Sequence, residues 1–288
     1  MRSAKPNRVG QTINLVLGAV FAFLGSSSPA MAQEGKPLWE AGIGLAAVSF
    51  PAYRGSDQRQ AFALPTPYFV YRGEFFKADR EGLRAQLFDS ERLELTVSGA
   101  LSPPAASKDV RARSGMADLR ASAEIGPQLN VNLWHNTAGT RQLTLLLPLR
   151  AAFTLERQPQ DLGWVFHPRL NLDLTALPGL PGWNLGLQAG PLFGDRKQHQ
   201  YFYGVAPTET TPERASYQAR AGFAGMQYLI GASKQYDRQW VGAFVRYDSL
   251  RGATFANSPL VRTRDYFAAG VAVSWILGQS AKRVASND

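Results

Sequence analysis

Apolar and polar residues alternate with a period of two in one ten-residue segment after another, a rhythm that fits strands and scrambles on a helix. In segment 92–101, Leu93, Leu95, Val97, Gly99 and Leu101 line one face and Arg92, Glu94, Thr96, Ser98 and Ala100 the other. Segment 142–155 sets Leu143, Leu145, Leu147, Leu149, Ala151, Phe153 and Leu155 against Gln142, Thr144, Arg150 and Thr154, with Leu146 and Pro148 as exceptions. Segments 128–133, 169–175 and 240–249 repeat the pattern. In 265–277, Phe267, Ala269, Val271, Val273, Trp275 and Leu277 oppose the small Ala268, Gly270, Ala272 and Ser274. Weaker alternation covers 39–49, 68–72, 82–88, 118–125, 183–193 and 217–235, the last long enough for two strands. About twelve strands are expected, with ten or fourteen also compatible.

No run of 18 apolar residues follows residue 32, so any crossing of a membrane is by strands. A soluble sandwich also alternates, but it turns Lys and Glu to solvent. Here the polar faces carry Gly, Asn, Gln, Ser, Thr and pairs of Arg with an acid, which suits a narrow hydrogen-bonded lumen. Aromatics near segment ends, among them Trp39, Tyr71, Trp134, Trp164, Trp183, Tyr236 and Trp275, suit interfacial girdles. The fold expected is therefore all-β: a closed antiparallel transmembrane β-barrel, apolar side outward, with Arg120, Glu124, Arg150, Arg169, Asp173, Arg246 and Asp248 forming a luminal network. Residues 89–90 and 177–182 read as tight periplasmic connections, and 102–116, 195–216 and 250–264 as extracellular loops. The stretch Arg196-Lys197-Gln198-His199-Gln200 is expected in a solvated, mobile loop.

The first 32 residues stand apart. Arg2, Lys5 and Arg8 precede an apolar run over 13–24 and the small-x-small triplet Ala30-Met31-Ala32, the three parts of a secretory signal peptide. Cleavage after Ala32 leaves Gln33 first, so residues 33–288 form the barrel domain, ending in a polar tail over 278–288. Export takes away three of 31 basic residues and none of 22 acidic ones, leaving 28 against 22. The charges are dispersed and no basic run occurs, which argues against nucleic acid and for outer-membrane lipid and lipopolysaccharide as acidic neighbours. With no cysteine, neither disulfides nor thiolate chemistry is available.

Catalytic signals are sparse. Gly42-Ile43-Gly44-Leu45-Ala46-Ala47 matches a dinucleotide pattern but lacks the strand before and the helix after it, and reads as the inner face of a first strand. His135, His167 and His199 are the three histidines, and none has a serine at a recognisable spacing. An outer-membrane acyl hydrolase is the sharpest enzyme alternative; no cofactor and no catalytic residue is assigned.

Several stretches in order resemble one family: Trp39-Glu40-Ala41-Gly42-Ile43-Gly44, Pro51-Ala52-Tyr53-Arg54-Gly55-Ser56, Leu64-Pro65 through Tyr71-Arg72-Gly73, Phe75-Phe76, Ile125-Gly126-Pro127, and Tyr247-Asp248-Ser249-Leu250-Arg251-Gly252 leading to Asn257-Ser258-Pro259-Leu260-Val261. Over nearly the whole mature chain it resembles the MltA-interacting protein (MipA/OmpV) family. The resemblance implies an outer-membrane barrel, and a scaffold joining a murein-cleaving lytic transglycosylase to a murein-synthesising penicillin-binding protein, or a surface-exposed binding protein. A small-solute channel is the alternative. One departure stands out: such barrels usually end on an aromatic residue, whereas Trp275 is followed here by Ile276, Leu277 and the polar tail. The sequence thus predicts recovery in the outer-membrane fraction with a heat-dependent shift on gels; a freely soluble periplasmic species would overturn it.

Overall fold

The structure is a computed structural model that describes residues 35–72, 76–79, 82–90 and 92–284. The expected leader over 1–32, the expected cleavage site at Ala32 and Gln33, and the last four residues lie outside the described residues.

The strands are β1 (Lys36–Pro37), β2 (Trp39–Pro51), β3 (Arg59–Arg72), β4 (Phe76–Asp79), β5 (Gly82–Asp89), β6 (Leu93–Ser102), β7 (Ser122–His135) and β8 (Arg141–Thr154). They continue with β9 (Asp161–Phe166), β10 (Arg169–Leu174), β11 (Trp183–Gly194), β12 (Gly222–Gln235), β13 (Gln239–Ser249), β14 (Asp265–Gln279) and β15 (Arg283–Val284), and one helix, α1 (Arg196–Tyr203), lies between β11 and β12. Every pairing is antiparallel. The two ends of the main sheet meet, because β8 pairs with β9 along one stretch and with β10 along the next, and β11 pairs with both. His167 and Pro168 interrupt what is otherwise one wall strand, so β2 to β14 make a closed ring of twelve. Closure leaves the backbone of most wall strands paired on both sides, the condition hydrocarbon imposes.

Strands β1 and β15 and the turns over 136–140, 175–182 and 236–238 gather at one end; the segments 52–58, 103–121, 155–160, 195–221 and 250–264 gather at the other. Short turns mark the periplasmic end and long loops the extracellular one. Along β14, Phe267, Val271, Trp275 and Leu277 are exposed while Tyr266, Ala268, Gly270, Ala272, Ser274 and Ile276 are buried. On β2, Ile43 and Leu45 are more than half exposed and Gly44, Ala46 and Val48 are buried. The leucine and valine rows therefore face outward, toward lipid.

Some boundaries differ from expectation. The start of β3 lies nine residues before 68, because Pro65 and Pro67 hide its alternation. Segments 118–125 and 128–133 merge into β7, whose ladder to β8 skips Gly126 and Pro127; a Cβ on Gly126 would lie 2.0 Å from the Leu149 carbonyl oxygen, so the walls touch there. Strand β9 was hidden because Trp164, Val165 and Phe166 are all apolar and the register shifts beside Gly163, and 217–235 holds one strand, not two.

Lipid exposure is tested by charge. Val271, 59% exposed and midway along β14, should on Val271→Arg lower unfolding free energy in vesicles by about 2–4 kcal/mol; a neutral effect would place that face elsewhere.

Candidate functional site

The inward faces of the ring divide into two halves. On β6, β7, β8 and β10 they are polar: the Arg150 Nε donates to Glu124 Oε2 at 2.9 Å, Asn130 Nδ2 to Glu94 Oε2 at 2.9 Å, and Gln128 Nε2 to Asn130 Oδ1 at 2.7 Å. Asn171 donates to Asp173 on β10. On β2, β3, β13 and β14 the lumen is apolar, with Ala46, Tyr68, Val70, Trp240, Ala272 and Ile276 packed together against Leu64, and Phe62 stacked on Phe50 at 5.7 Å. At its periplasmic foot the buried Glu40 accepts from the Tyr68 hydroxyl at 3.2 Å and from Arg72 at 3.4 Å.

A second charged cluster crosses the top of the lumen. Asp248, fully buried, accepts from Arg246 Nε at 2.7 Å and from Gln227 Nε2 at 2.9 Å, and lies 3.4 Å from Arg54 Nε. Arg54 also donates to the Tyr266 hydroxyl at 3.1 Å, and its carbonyl accepts from the Tyr203 hydroxyl at 3.0 Å. A buried carboxylate persists only when paired and hydrogen-bonded in this way. These contacts fasten the loops to the wall.

Above them the extracellular loops fold into a cap with its own core. Leu250, Phe255 and Leu260 are fully buried; Tyr203 stacks on Phe255 at 3.6 Å and His199 packs edge-on at 4.7 Å. Polar ties hold the loops to one another: Tyr53 donates to the Leu260 carbonyl at 2.6 Å, Ser258 to the Tyr203 carbonyl at 2.7 Å, and Arg214 to the carbonyls of Ala112 and Ser114 at 3.0 Å. Burial pushes the Tyr53 phenol up to about 12 and raises that of Tyr203, so both remain donors. The segment expected to be a mobile loop is thus largely folded: α1 is capped by Asp195, whose carboxylate accepts from the Gln198 amide, and His199 is buried.

Of the charges expected in the lumen, the structure pairs Glu124 with Arg150 and Arg246 with Asp248, and sets Arg169 and Asp173 on β10. Arg120 departs from expectation. Strand β7 begins at Ser122, so residue 120 belongs to the cap, where it is exposed and paired with Glu156 at 3.3 Å. Arg54, Glu40 and Gln227 were missed; Arg54 lies in a turn that alternation cannot read. The histidines are scattered: His135 is exposed at the end of β7, His167 is buried in the wall break, and the hydrogen-bond partners of His199 are the Arg220 carbonyl and the Thr254 hydroxyl. Among the described residues no group of three acidic or histidine side chains is placed to hold a metal ion.

A family model described as MltA-interacting protein MipA matches residues 43–277. No protein with a curated description matches the chain. Among solved structures, an outer membrane channel from Pseudomonas putida F1 is similar at 12% identity and TM-score 0.43, covering 86% of this chain and 99% of that one. A bacterial polysaccharide outer membrane secretin is similar at 7% identity and TM-score 0.41, covering 83% and 99%. Outer membrane phospholipase A from Escherichia coli is similar at 10% identity and TM-score 0.32, covering 90% and 97%.

Burial holds the His199 imidazole below its ordinary value of 6.5, so the closed cap binds this proton less readily than the opened one. Its contribution to cap stability is full above pH 6.5 and lost as pH falls toward the depressed value. Protection of the α1 amides, taken relative to their intrinsic exchange rates at each pH, should fall between about pH 7 and pH 5, and less so in His199→Gln; identical protection profiles for the two proteins would rule the linkage out.

Proposed function

The chain belongs to the MltA-interacting protein (MipA) family, and from that premise we propose a non-catalytic scaffold whose periplasmic end brings a murein-cleaving lytic transglycosylase together with a murein-synthesising penicillin-binding protein. Its setting is the outer membrane, with lipid and lipopolysaccharide around the barrel. In this reading residues 1–32 are a leader removed after Ala32, and Gln33 opens the mature chain.

The observation that carries the reading is the contrast between the two ends. The extracellular end is covered by a cap with its own apolar core, while at the periplasmic end the first and last described strands form a clasp. There β1 pairs with β15, the Leu38 amide donates to the Lys282 carbonyl at 2.9 Å, and Arg283 donates to the Gly35 carbonyl at 3.1 Å. Such a surface is preorganised, which lowers the ordering cost of binding a partner. The packed cap over that end favours this reading over a small-solute channel, and the scattered histidines favour it over an acyl hydrolase.

Immobilised, folded protein should retain both a purified lytic transglycosylase and a penicillin-binding protein, and paired Lys282→Glu and Arg283→Glu substitutions should weaken retention. Failure to retain either, steady single-channel current in planar bilayers, or release of acyl chains from phospholipid would overturn the proposal.

A further inference from the structure

The ring has one weak seam. Only 20 residues separate Arg72 from Leu93, and once the three turns they must also supply are set aside, too few remain for two strands of the roughly 9–11 residues each that a crossing needs. Strand β4 accordingly has 4 residues and β5 has 8, and β3 pairs with β4 only through Tyr71 and Arg72. Above that short hairpin, among the described residues, β3 from Arg59 to Val70 and β6 from Val97 to Ser102 have a partner strand on one side only. The seam lies at hydrocarbon depth, since Pro65 and Pro67 stand opposite the outward Leu45 and Ile43. Over its top, Gln58 Nε2 reaches the Asp109 carbonyl at 2.9 Å and Gln60 Nε2 the Pro104 carbonyl at 3.4 Å.

The direction of the amides shows how this edge is tolerated. The Arg72 amide donates to Leu38 on the β2 side, so even-numbered amides of β3 face β2 and odd-numbered ones face the seam. Pro65 and Pro67 are odd-numbered: two of the donors that would point into the gap are missing. Prolines at these positions also deny an incoming strand the ladder it would need, which argues against a partner strand or a second copy as occupant. An open edge at this depth must nevertheless be covered.

Behind the seam the two halves of the lumen meet. On the β3 side, Phe62 and Leu64 point inward and keep partial exposure; on the β6 side, Ser98 and Ala100 do the same, and the Ser98 hydroxyl is without a hydrogen-bond partner. We propose that the seam is a lateral portal for a membrane amphiphile, whose hydrocarbon tail enters the apolar half of the lumen while its polar head meets the wall that begins at β6.

The natural absence of cysteine makes the test direct. Leu64→Cys places a thiol behind the portal, Ser233→Cys one on the closed wall, and Ala63→Cys one on the outer face of the same strand. In proteoliposomes, with heat-dependent gel mobility confirming that each variant is folded, a long-chain N-alkyl maleimide dissolved in the bilayer should label Leu64→Cys about tenfold faster than Ser233→Cys, a difference of ~1.4 kcal/mol in access. Palmitoyl lysophosphatidylcholine should slow labelling of Leu64→Cys and leave Ala63→Cys unchanged. Should Leu64→Cys fail to fold, Ala100→Cys serves from the β6 side. Equal labelling of the two inward thiols, equal slowing of the inward and outward ones, or disulfide-linked dimers through Ala63→Cys would overturn the portal.

Discussion

Hydrocarbon offers a peptide group no hydrogen-bond partner, and the rest of this structure follows from that constraint. A chain without a long apolar run can meet it only by returning its last strand to its first. Here the return is made twice over, because β14 zips to β2 while β8 takes up both pieces of the broken strand formed by β9 and β10. The break is accommodated by local close packing: a Cβ on Gly190 would lie 2.1 Å from the Pro168 carbonyl oxygen, so the absence of a side chain lets β11 approach the kink.

Closure then turns the usual burial pattern inside out. The apolar rows are on the outside, where lipid rather than a protein core receives them, and the interior is left to be filled. One half is filled with charges and amides that satisfy one another, the other with aromatic and aliphatic groups. Neither half could be replaced by the other at no cost: Asp248 without its arginines would be a bare buried charge, and Trp240 among Glu94 and Asn130 would leave their hydrogen-bonding groups unmet.

The wall was largely legible in the sequence because period-two alternation is a property of each strand taken alone. Leu143 to Leu149 and Phe267 to Leu277 announce their outer face without reference to any neighbour. What alternation cannot convey is tertiary. Pro65 and Pro67 look like strand breakers until the missing partner strand is seen, and the unbroken apolar run Trp164-Val165-Phe166 gives Asp161 to Phe166 no alternation to read. The cap was illegible for a different reason: Leu250, Phe255 and Leu260 come from a loop with no period, and they become a core only when α1 and the turn at Tyr53 close over them. Arg120 was misplaced because a pattern extended past Ser122 runs from wall into cap without any local sign of the change.

The clasp between β1 and β15 bears on the order in which such a molecule can be completed. The strand made first and the strand made last are neighbours, and the residues just outside each are bonded to one another. Until β14 is in place, β2 and β13 both remain raw edges. The finished ring therefore carries, at its periplasmic foot, a contact that can form only after both β14 and β15 have been added.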